Sequence, residues 1–577
     1  MNKKQHPTIF FAALLALILV ASVQAARVTQ QQAEQAAAQW LTLSSNRLGA
    51  QLPPDIDAVT DYTTFFTVQL QPEGYLILSP DSLIEPVIAF SANGTFQLDE
   101  DNPLTTLLQG DLPDRLRLAD FIETHPYPTD TDIELYQQAR RSSDTWQDLL
   151  AATTPPPDGT STISDVRIAP FVQSRWSQST AQGHNCYNYY TPSNYVDGCV
   201  ATAMAQVMRH LQYPQSAIGL LTNTIYVMSQ ARTAVTRGGN GTGGAYDWTN
   251  MPLNPATASY SDAQWRMIGA LCYDCGVAAR MNYSASGSSA YYSYAQSAMT
   301  AFFQFGNADY TYGASGVTAA NRQLAIKPNL AAGIPVMLGI RRSAGGHAVV
   351  CDGFGYTSST EYHHINLGWG GSYDAWYNLP LIDAGSYVYT NIDAVLFNLF
   401  TNGTGELIGG RILDNSAHPV SGALVTATGG HTSQTDSNGY YAIRVPSSAS
   451  YNLTASKPGY ADGTRNSISV GTSSGTSIGN YWGADLTMTQ YTFAFRALAL
   501  TNNIILRWTD PLNIAMPTSS SMVRRSTAAY PETSADGTSV YIGLEQVYED
   551  TGLTPEQTNY YTIFVHDGAG WTNPPGD

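Results

Sequence analysis

The stretch Asp197-Gly198-Cys199-Val200-Ala201-Thr202-Ala203-Met204 places a thiol where a helix should begin. Apolar residues follow at 200, 203, 204, 207, 208 and 211, the i, i+3, i+4, i+7 spacing of a buried helical face, and Tyr213-Pro214 closes it. Gly198 marks the turn in, and Asp197 is the expected cap. A thiol in the first turn lies at the positive end of the helix dipole, which favours thiolate and so a nucleophile. The competing reading is a structural cysteine that packs at a helix start. A second stretch, Gly345-Gly346-His347-Ala348-Val349-Val350-Cys351, reads as a flexible glycine pair leading into a strand. It puts His347 where a base can reach a thiol from a rigid element. A third, His363-His364-Ile365-Asn366-Leu367-Gly368-Trp369, reads as the return strand of a hairpin closed by residues 355–360. The hairpin is expected to bring Asn366 beside the start of the first strand, near His347. There its amide oxygen can accept the imidazole N–H and fix the tautomer, with Trp369 shielding that bond from water. His363 and His364 compete as bases, one pointing inward and one outward on a strand. Upstream, Gln178 of Trp176-Ser177-Gln178 can donate its amide to an oxyanion alongside the Cys199 backbone N–H.

Cys199 and His347 lie 148 residues apart, within the roughly 130–150 that separates a papain-like cysteine from its histidine. Residues 176–178, Tyr187-Asn188-Tyr189-Tyr190-Thr191-Pro192, 198–203, Tyr246-Asp247-Trp248, 345–348 and 366–371 together resemble the streptopain family of cysteine peptidases, in the papain-like clan. The resemblance covers the segment from about 166 to 400. It implies Cys199 as nucleophile, His347 as general base and acid, Gln178 in the oxyanion hole, and Asn366 and Trp369 orienting the histidine. It also implies an apolar substrate residue two positions before the cut. One departure stands out. The family commonly has Trp directly after the orienting Asn, and here Leu367 follows. Leucine excludes water but does not stack on the imidazole, so the expected cost is in efficiency or positioning.

The other cysteines are Cys186, Cys272, Cys275 and Cys351. An odd total of five leaves at least one thiol without an intramolecular partner. Cys272-x-x-Cys275 sits in a helical context and reads as a disulfide or two buried thiols. No second pair with zinc spacing accompanies it, so neither metal nor cofactor is expected. Residues 281–295, rich in Ser, Gly and Tyr, read either as a surface loop or as a wall of the substrate cleft.

The elements that carry these residues sit in a chain of 577 residues, long enough for several domains. Charged residues make up 12%, about half the usual share, and the net charge is −18. There is no basic cluster for phosphates, so neither nucleic acid nor an anionic membrane surface is an expected partner. Lys3-Lys4, an apolar run from Ile9 to Val23 and Val23-Gln24-Ala25 read as a secretory signal over residues 1–25. No later run is long enough to span a bilayer, and the mature protein is expected to be secreted.

The fold class expected is multidomain: an α+β papain-like catalytic domain, an α+β propeptide and two C-terminal all-β sandwiches. Residues 26–150 open with a capping box at Thr29-x-x-Gln32 and an Ala-rich helix. Hairpins follow, Phe65–Leu70 with Tyr75–Leu78 and Val87–Phe90 with Thr95–Gln97. This segment resembles the family's propeptide and is expected to inhibit the enzyme. Residues 151–165 form a Pro/Ser/Thr-rich activation linker, and 166–402 hold the peptidase. Residues 403–488 resemble a carboxypeptidase-regulatory-like sandwich through Gly410-Arg411-Ile412, Asp436-Ser437-Asn438-Gly439-Tyr440-Tyr441 and Lys457-Pro458-Gly459-Tyr460. Residues 489–577 resemble a fibronectin type III module through Leu506-Arg507-Trp508 and Thr558-Asn559-Tyr560-Tyr561-Thr562. Spacing, matrix or surface attachment and substrate docking all fit these modules. The reading is a secreted cysteine endopeptidase made as a zymogen, acting on proteins or peptides through a Cys-His pair in which His347 deprotonates Cys199 or the two rest as thiolate and imidazolium. The alternatives are a secreted adhesion or matrix-binding protein with an impaired papain-like core, and a cysteine-dependent transferase or cell-wall amidase on that core.

Overall fold

The computed structural model describes residues 27–43, 46–100, 102–125, 128, 133–151, 166–342, 345–357, 360–380, 391–490, 494–509, 520–566 and 570–572. The expected signal, and all of the expected linker except residue 151, lie outside them. The described chain forms two compact units. One takes the chain up to Gly409 with Arg444–Ala449 and Ser469–Trp482; the other takes Gly410–Ile443, Ser450–Ile468 and Gly483 onward.

In the first unit, α1 (Gln30–Leu43) starts at a reciprocal cap. The Gln32 N–H donates to Thr29 Oγ1 (3.2 Å) and the Thr29 N–H to Gln32 Oε1 (2.9 Å). Its buried stripe of Ala33, Ala36, Ala37, Trp40 and Leu41 packs on β1 (Asp55–Asp61), β2 (Phe66–Gln71), β3 (Tyr75–Leu78) and β4 (Val87–Ser91). The strand expected at Thr95–Gln97 does not form. Phe96 instead turns in against Tyr62, Phe65 and Tyr75, and the chain runs into α2 (Pro103–Thr124), capped by Asn102. Then come α3 (Ile133–Leu150) and β5 (Val166–Ile168).

The segment that carries the expected catalytic residues contributes α4 (Cys199–Leu211), α5 (Asp262–Ala278), α6 (Tyr292–Ala301), β6 (Asn307–Tyr312) and α7 (Ala319–Ala331). It continues with β7 (Val336–Arg342), β8 (Gly345–Thr357), β9 (Thr360–Asn366), β10 (Ala375–Tyr377) and β11 (Ile392–Phe400). α4 and α5 bury almost every residue, because their apolar positions pack into one core with the inner faces of β7, β8 and β11.

The sheet runs β6-β11-β7-β8-β9-β10-β4-β3-β2-β1, with β5 on β8. It therefore continues from the expected catalytic segment into the leading one. β10 pairs antiparallel with β4, Trp376 opposite Phe90 and Tyr377 opposite Ala89. A buried polar cluster lies beside this junction. Arg115 Nε donates to Asp111 Oδ2 (2.9 Å), Arg115 Nη1 to Asn378 Oδ1 (2.8 Å) and the Tyr377 hydroxyl to Asp111 Oδ2 (2.7 Å).

The second unit is all-β. β12 (Leu424–Ala427) pairs antiparallel with β13 (His431–Gln434) and with β14 (Ala449–Ser456). Further along lie β15 (Ala494–Ala499), β16 (Ile504–Thr509), β17 (Ser521–Ser526), β18 (Thr538–Gly543), β19 (Val547–Asp550) and β20 (Tyr560–His566). They form two sheets, β15-β16-β19 and β18-β17-β20, around Leu506, Trp508, Val523, Tyr561 and Ile563. The alternation of buried and exposed residues along the strands is what a sandwich requires.

Asp111→Ala would leave the Arg115 guanidinium buried without its counter-charge. The expected loss of stability is about 3–5 kcal/mol, read as a lower urea midpoint for the full chain. A loss below about 1 kcal/mol would show that water or another group solvates Arg115.

Candidate active site

Cys199 is the first residue of α4, and the residue before it cannot carry a side chain. Gly198 has φ +92°, and a Cβ there would lie 2.9 Å from Met281 Sδ and from the Ser288 carbonyl oxygen. The expected cap is corrected: Asp197 does not cap α4. Its carboxylate is fully buried and accepts the Thr202 hydroxyl at 3.1 Å on each oxygen, and its backbone N–H donates to the Gln178 carbonyl (2.9 Å). This last bond draws Gln178, itself half-buried, alongside the nucleophile segment. Burial pushes the Asp197 carboxyl well above the usual range.

Burial, the largest influence, raises the Cys199 thiol above its ordinary pKa, and the Asp197 charge adds to it. The N–H groups of Ala348, Val200 and Cys199 itself pull the other way, as a helix N-terminus does.

Ala348, next to His347, lines the same cavity as Cys199, and its backbone N–H favours the thiolate. β8 opens on Gly345-Gly346, where a Cβ on Gly346 would sit 2.8 Å from the Ile340 carbonyl oxygen. His347 lies opposite Ile340 on β7. Cys199 and His347 line one cavity of about 390 Å³, with Ser288, Ser289 and Tyr292 as part of its wall. Within 281–295, Ser288, Ser289, Ala290 and Tyr292 line this cavity.

Asn366 stands opposite Val350, three residues along from His347. Its Oδ1 accepts from Gln206 Nε2 (2.9 Å) and the Gly368 N–H (3.1 Å), and its Nδ2 donates to the Ser174 carbonyl (3.0 Å). The oxygen expected to take the imidazole N–H thus already holds two donors. Trp369 is half-buried with its ring centre 6.4 Å from that of Tyr373, and the Gly370 N–H donates to the Trp176 carbonyl (2.9 Å). Leu367 is buried, its N–H given to Asp374 Oδ1 (2.8 Å).

The competing histidines are both enclosed. His363 is fully buried, and burial lowers it to about 4. His364 Nδ1 lies 2.6 Å from Asp352 Oδ1; burial lowers its pKa, but the Asp352 charge and hydrogen bond prevail and raise it. All five cysteines are free thiols, and Cys186, Cys272, Cys275 and Cys351 are buried. Of the two readings for Cys272-x-x-Cys275, buried thiols describe it.

One residue escaped the sequence reading. Gln206 is a fully buried polar residue on α4, two turns from Cys199. It donates to Asn366 and accepts the Trp176 N–H at Oε1 (3.2 Å), joining helix, return strand and the 176–178 segment. An amide inside a helical face otherwise built of Ala, Val and Met was the available signal.

Residues 176–377 match the Peptidase C10 family model. The chain carries a Peptidase C10 domain. Residues 25–111 match the Spi protease inhibitor family and residues 408–480 the carboxypeptidase regulatory-like domain. The chain is 26% identical over 390 residues to the thiol protease/hemagglutinin PrtT of Porphyromonas gingivalis, over 66% of this chain and 42% of that protein. It therefore spans less than half of that relative's length. It is 23% identical over 343 residues to streptopain of Streptococcus pyogenes, over 56% of this chain and 75% of that one. Among solved structures, a fragment of Prevotella intermedia prointerpain A aligns with TM-score 0.44 and 20% identity, over 60% of this chain and 98% of the fragment. Active interpain A aligns with TM-score 0.34 and 26% identity, over 43% of this chain and all of that one. Among the described residues no helix is long and apolar enough to cross a membrane.

Asp374 gives a test of the acid cluster behind the site. Burial, the largest cause, raises it to about 6, against an ordinary value of about 3.9. A raised carboxyl adds stability that is full below about pH 4 and lost as pH rises through about 6. Asp374→Asn keeps an acceptor for the Leu367 N–H and removes the titration. The variant is expected to lose less thermal stability than the wild-type chain between pH 4.5 and 7.5, by roughly 2 kcal/mol at most. Parallel melting curves across that range would count against it.

Proposed function

We propose that this chain is a secreted cysteine endopeptidase made as a zymogen. The observation that carries the reading is the meeting of Cys199 and His347 at one cavity. His347 serves as the general base for the Cys199 thiol. The imidazole takes the thiol proton as sulfur attacks the peptide carbonyl carbon. The oxyanion is held by the Cys199 N–H and the Gln178 amide. His347 then returns the proton to the leaving amine, and water, deprotonated by the same imidazole, releases the acyl group and restores the thiol. Asn366 and Trp369 act by fixing the strand end beside this pair, Asn366 through Gln206 and Ser174.

In this reading residues 1–25 are the signal, 26–150 the inhibitory propeptide, 151–165 the activation region and 166–402 the peptidase. Residues 403–488 and 489–577 are the regulatory-like and fibronectin type III-like sandwiches. The Spi-inhibitor match over 25–111 supports the propeptide assignment. The shared sheet and the packing of α2 support it further: a Cβ on Gly110 would come within 2.5 Å of the Arg341 carbonyl oxygen, on the strand that lines the cavity. Substrates are proteins or peptides, and the C-terminal modules serve as spacers, attachment modules or substrate-docking modules.

Mass spectrometry of the expressed chain tests the reading. Self-cleavage near 151–165 is expected in the wild type and absent from Cys199→Ala, and casein hydrolysis should be blocked by a thiol alkylator. Processed, reduced enzyme that cleaves no unfolded protein would favour the adhesion alternative. Gln178→Ala is expected to lower kcat by about 10²-fold with little change in KM. An unchanged kcat would remove Gln178 from the oxyanion site.

A further inference from the structure

The cavity beside Cys199 contains a carboxylate that the hydrolytic steps do not use. Across β11, β7 and β8 a row of small residues, Ala394, Gly339 and Ala348, forms a depression in the sheet. Immediately after this row the register slips: Gly339 pairs with Ala394 but Ile340 with Ile392. Asp393 is the extra residue of that β-bulge. A bulge re-aims a side chain, and bulges of this kind recur next to active sites. Here it turns Asp393 into the cavity wall. A Cβ built on Gly339 would lie 3.1 Å from Asp393 Oδ1 and 3.2 Å from the Tyr292 ring, so the missing side chain is what opens this space.

The carboxylate is already matched with a cation of the chain itself. Arg341 Nη1 lies 3.2 Å from Asp393 Oδ2, yet the Arg341 side chain is 63% exposed against 34% for Asp393. Such an exposed pair is held weakly and exchanges readily. The neighbouring Arg342 does not compete for Asp393. Its Nη1 donates to Gln109 Oε1 and its Nη2 to the Glu100 carbonyl, both 2.6 Å and both in the leading segment. The Tyr292 ring lines the same cavity beside Asp393, and the Tyr310 ring stacks on it at 6.5 Å between centres. Aromatic faces and a carboxylate together suit a guanidinium or ammonium.

We propose that this cavity is a substrate subsite for a basic side chain, arginine or lysine, whose cation replaces Arg341 on Asp393. The subsite rests on the peptidase reading and names its substrate class; it departs from the apolar preference that the family resemblance implies. The test uses the processed full-length enzyme and quenched peptides that differ at one position, with Arg, Lys, Leu or Glu placed in turn at each of the three residues before the cut. At one position Arg or Lys is expected to exceed Leu in kcat/KM by about tenfold. Asp393→Asn should lower that Arg-to-Leu ratio about tenfold, and Arg341→Ala should raise it. Each ratio is taken within one preparation, so a partly folded sample does not change it. Equal ratios in the wild type and Asp393→Asn at every position would overturn the subsite while cleavage of the Leu peptides upholds the peptidase. Failure to cleave any peptide would overturn both.

Discussion

The structure of the first unit depends on one constraint: the first residue of a buried helix must meet the third residue of a strand far along the chain. The cavity that Cys199, His347 and Ala348 line together is where that constraint is satisfied. It holds only if α4 enters without a side chain at 198 and β8 crosses β7 closely at Gly346, and both positions are glycines whose Cβ atoms would collide with neighbours. Everything else in the core serves to keep these two elements in register. The α4 face packs on the inner residues of β7, β8 and β11, and Gln206 ties the helix to the return strand by directed bonds that apolar packing does not supply.

Enclosure sets the electrostatics. Asp197 lies behind the thiol with hydroxyl and backbone donors, and burial first and its charge second raise the Cys199 thiol. A second acid group, Asp352 and Asp374 around His364, braces the far side of β9. The Asp352 carboxylate arrives there by the same device as Asp393. The register of β8 on β9 slips between Cys351 and Gly353, leaving Asp352 as the bulged residue. Two bulges on neighbouring strand pairs thus each deliver a carboxylate to one side of the site. That is a more exact placement than strand alternation permits, because alternation offers a side chain only two directions.

The sequence made the helix at 199–211, the glycine-led strand at 345 and the return strand at 360–366 legible, since hydrophobic period and glycine position are local properties. The hairpin partner of Asn366 was not legible, because register depends on the Asp352 bulge, and a bulge leaves no mark in the hydrophobic pattern. The Asp197 cap failed for a related reason. Asp before Gly at a helix start is a normal cap signal, but here the side chain is enclosed beside Thr202, a tertiary preference that overrides the local one. A dipole argument likewise counts the helix and omits the surroundings, where burial raises the thiol. Thr95–Gln97 lost its strand because Phe96 gains more by entering an aromatic cluster than by extending a hairpin.

Continuity of the sheet bears on how a zymogen of this build opens. The leading strands are joined to the rest by the β4·β10 ladder, by the Asp111–Arg115–Tyr377–Asn378 cluster and by Arg342 bonded to Gln109 and Glu100. None of these bonds runs through residues 151–165, so cutting there removes a tether and leaves the contacts in place. Release then requires unpairing β10, which becomes a sheet edge carrying Ala375, Trp376 and Tyr377, all buried while β4 covers it. Exposing that edge and an unpaired Arg115 partner set is costly. On the zymogen reading, chain scission and freedom of the cleft are therefore separate events. The second is governed by the stability of the shared sheet and its buried charge cluster, and only then does Arg342, which lines the cavity, lose its Gln109 and Glu100 partners.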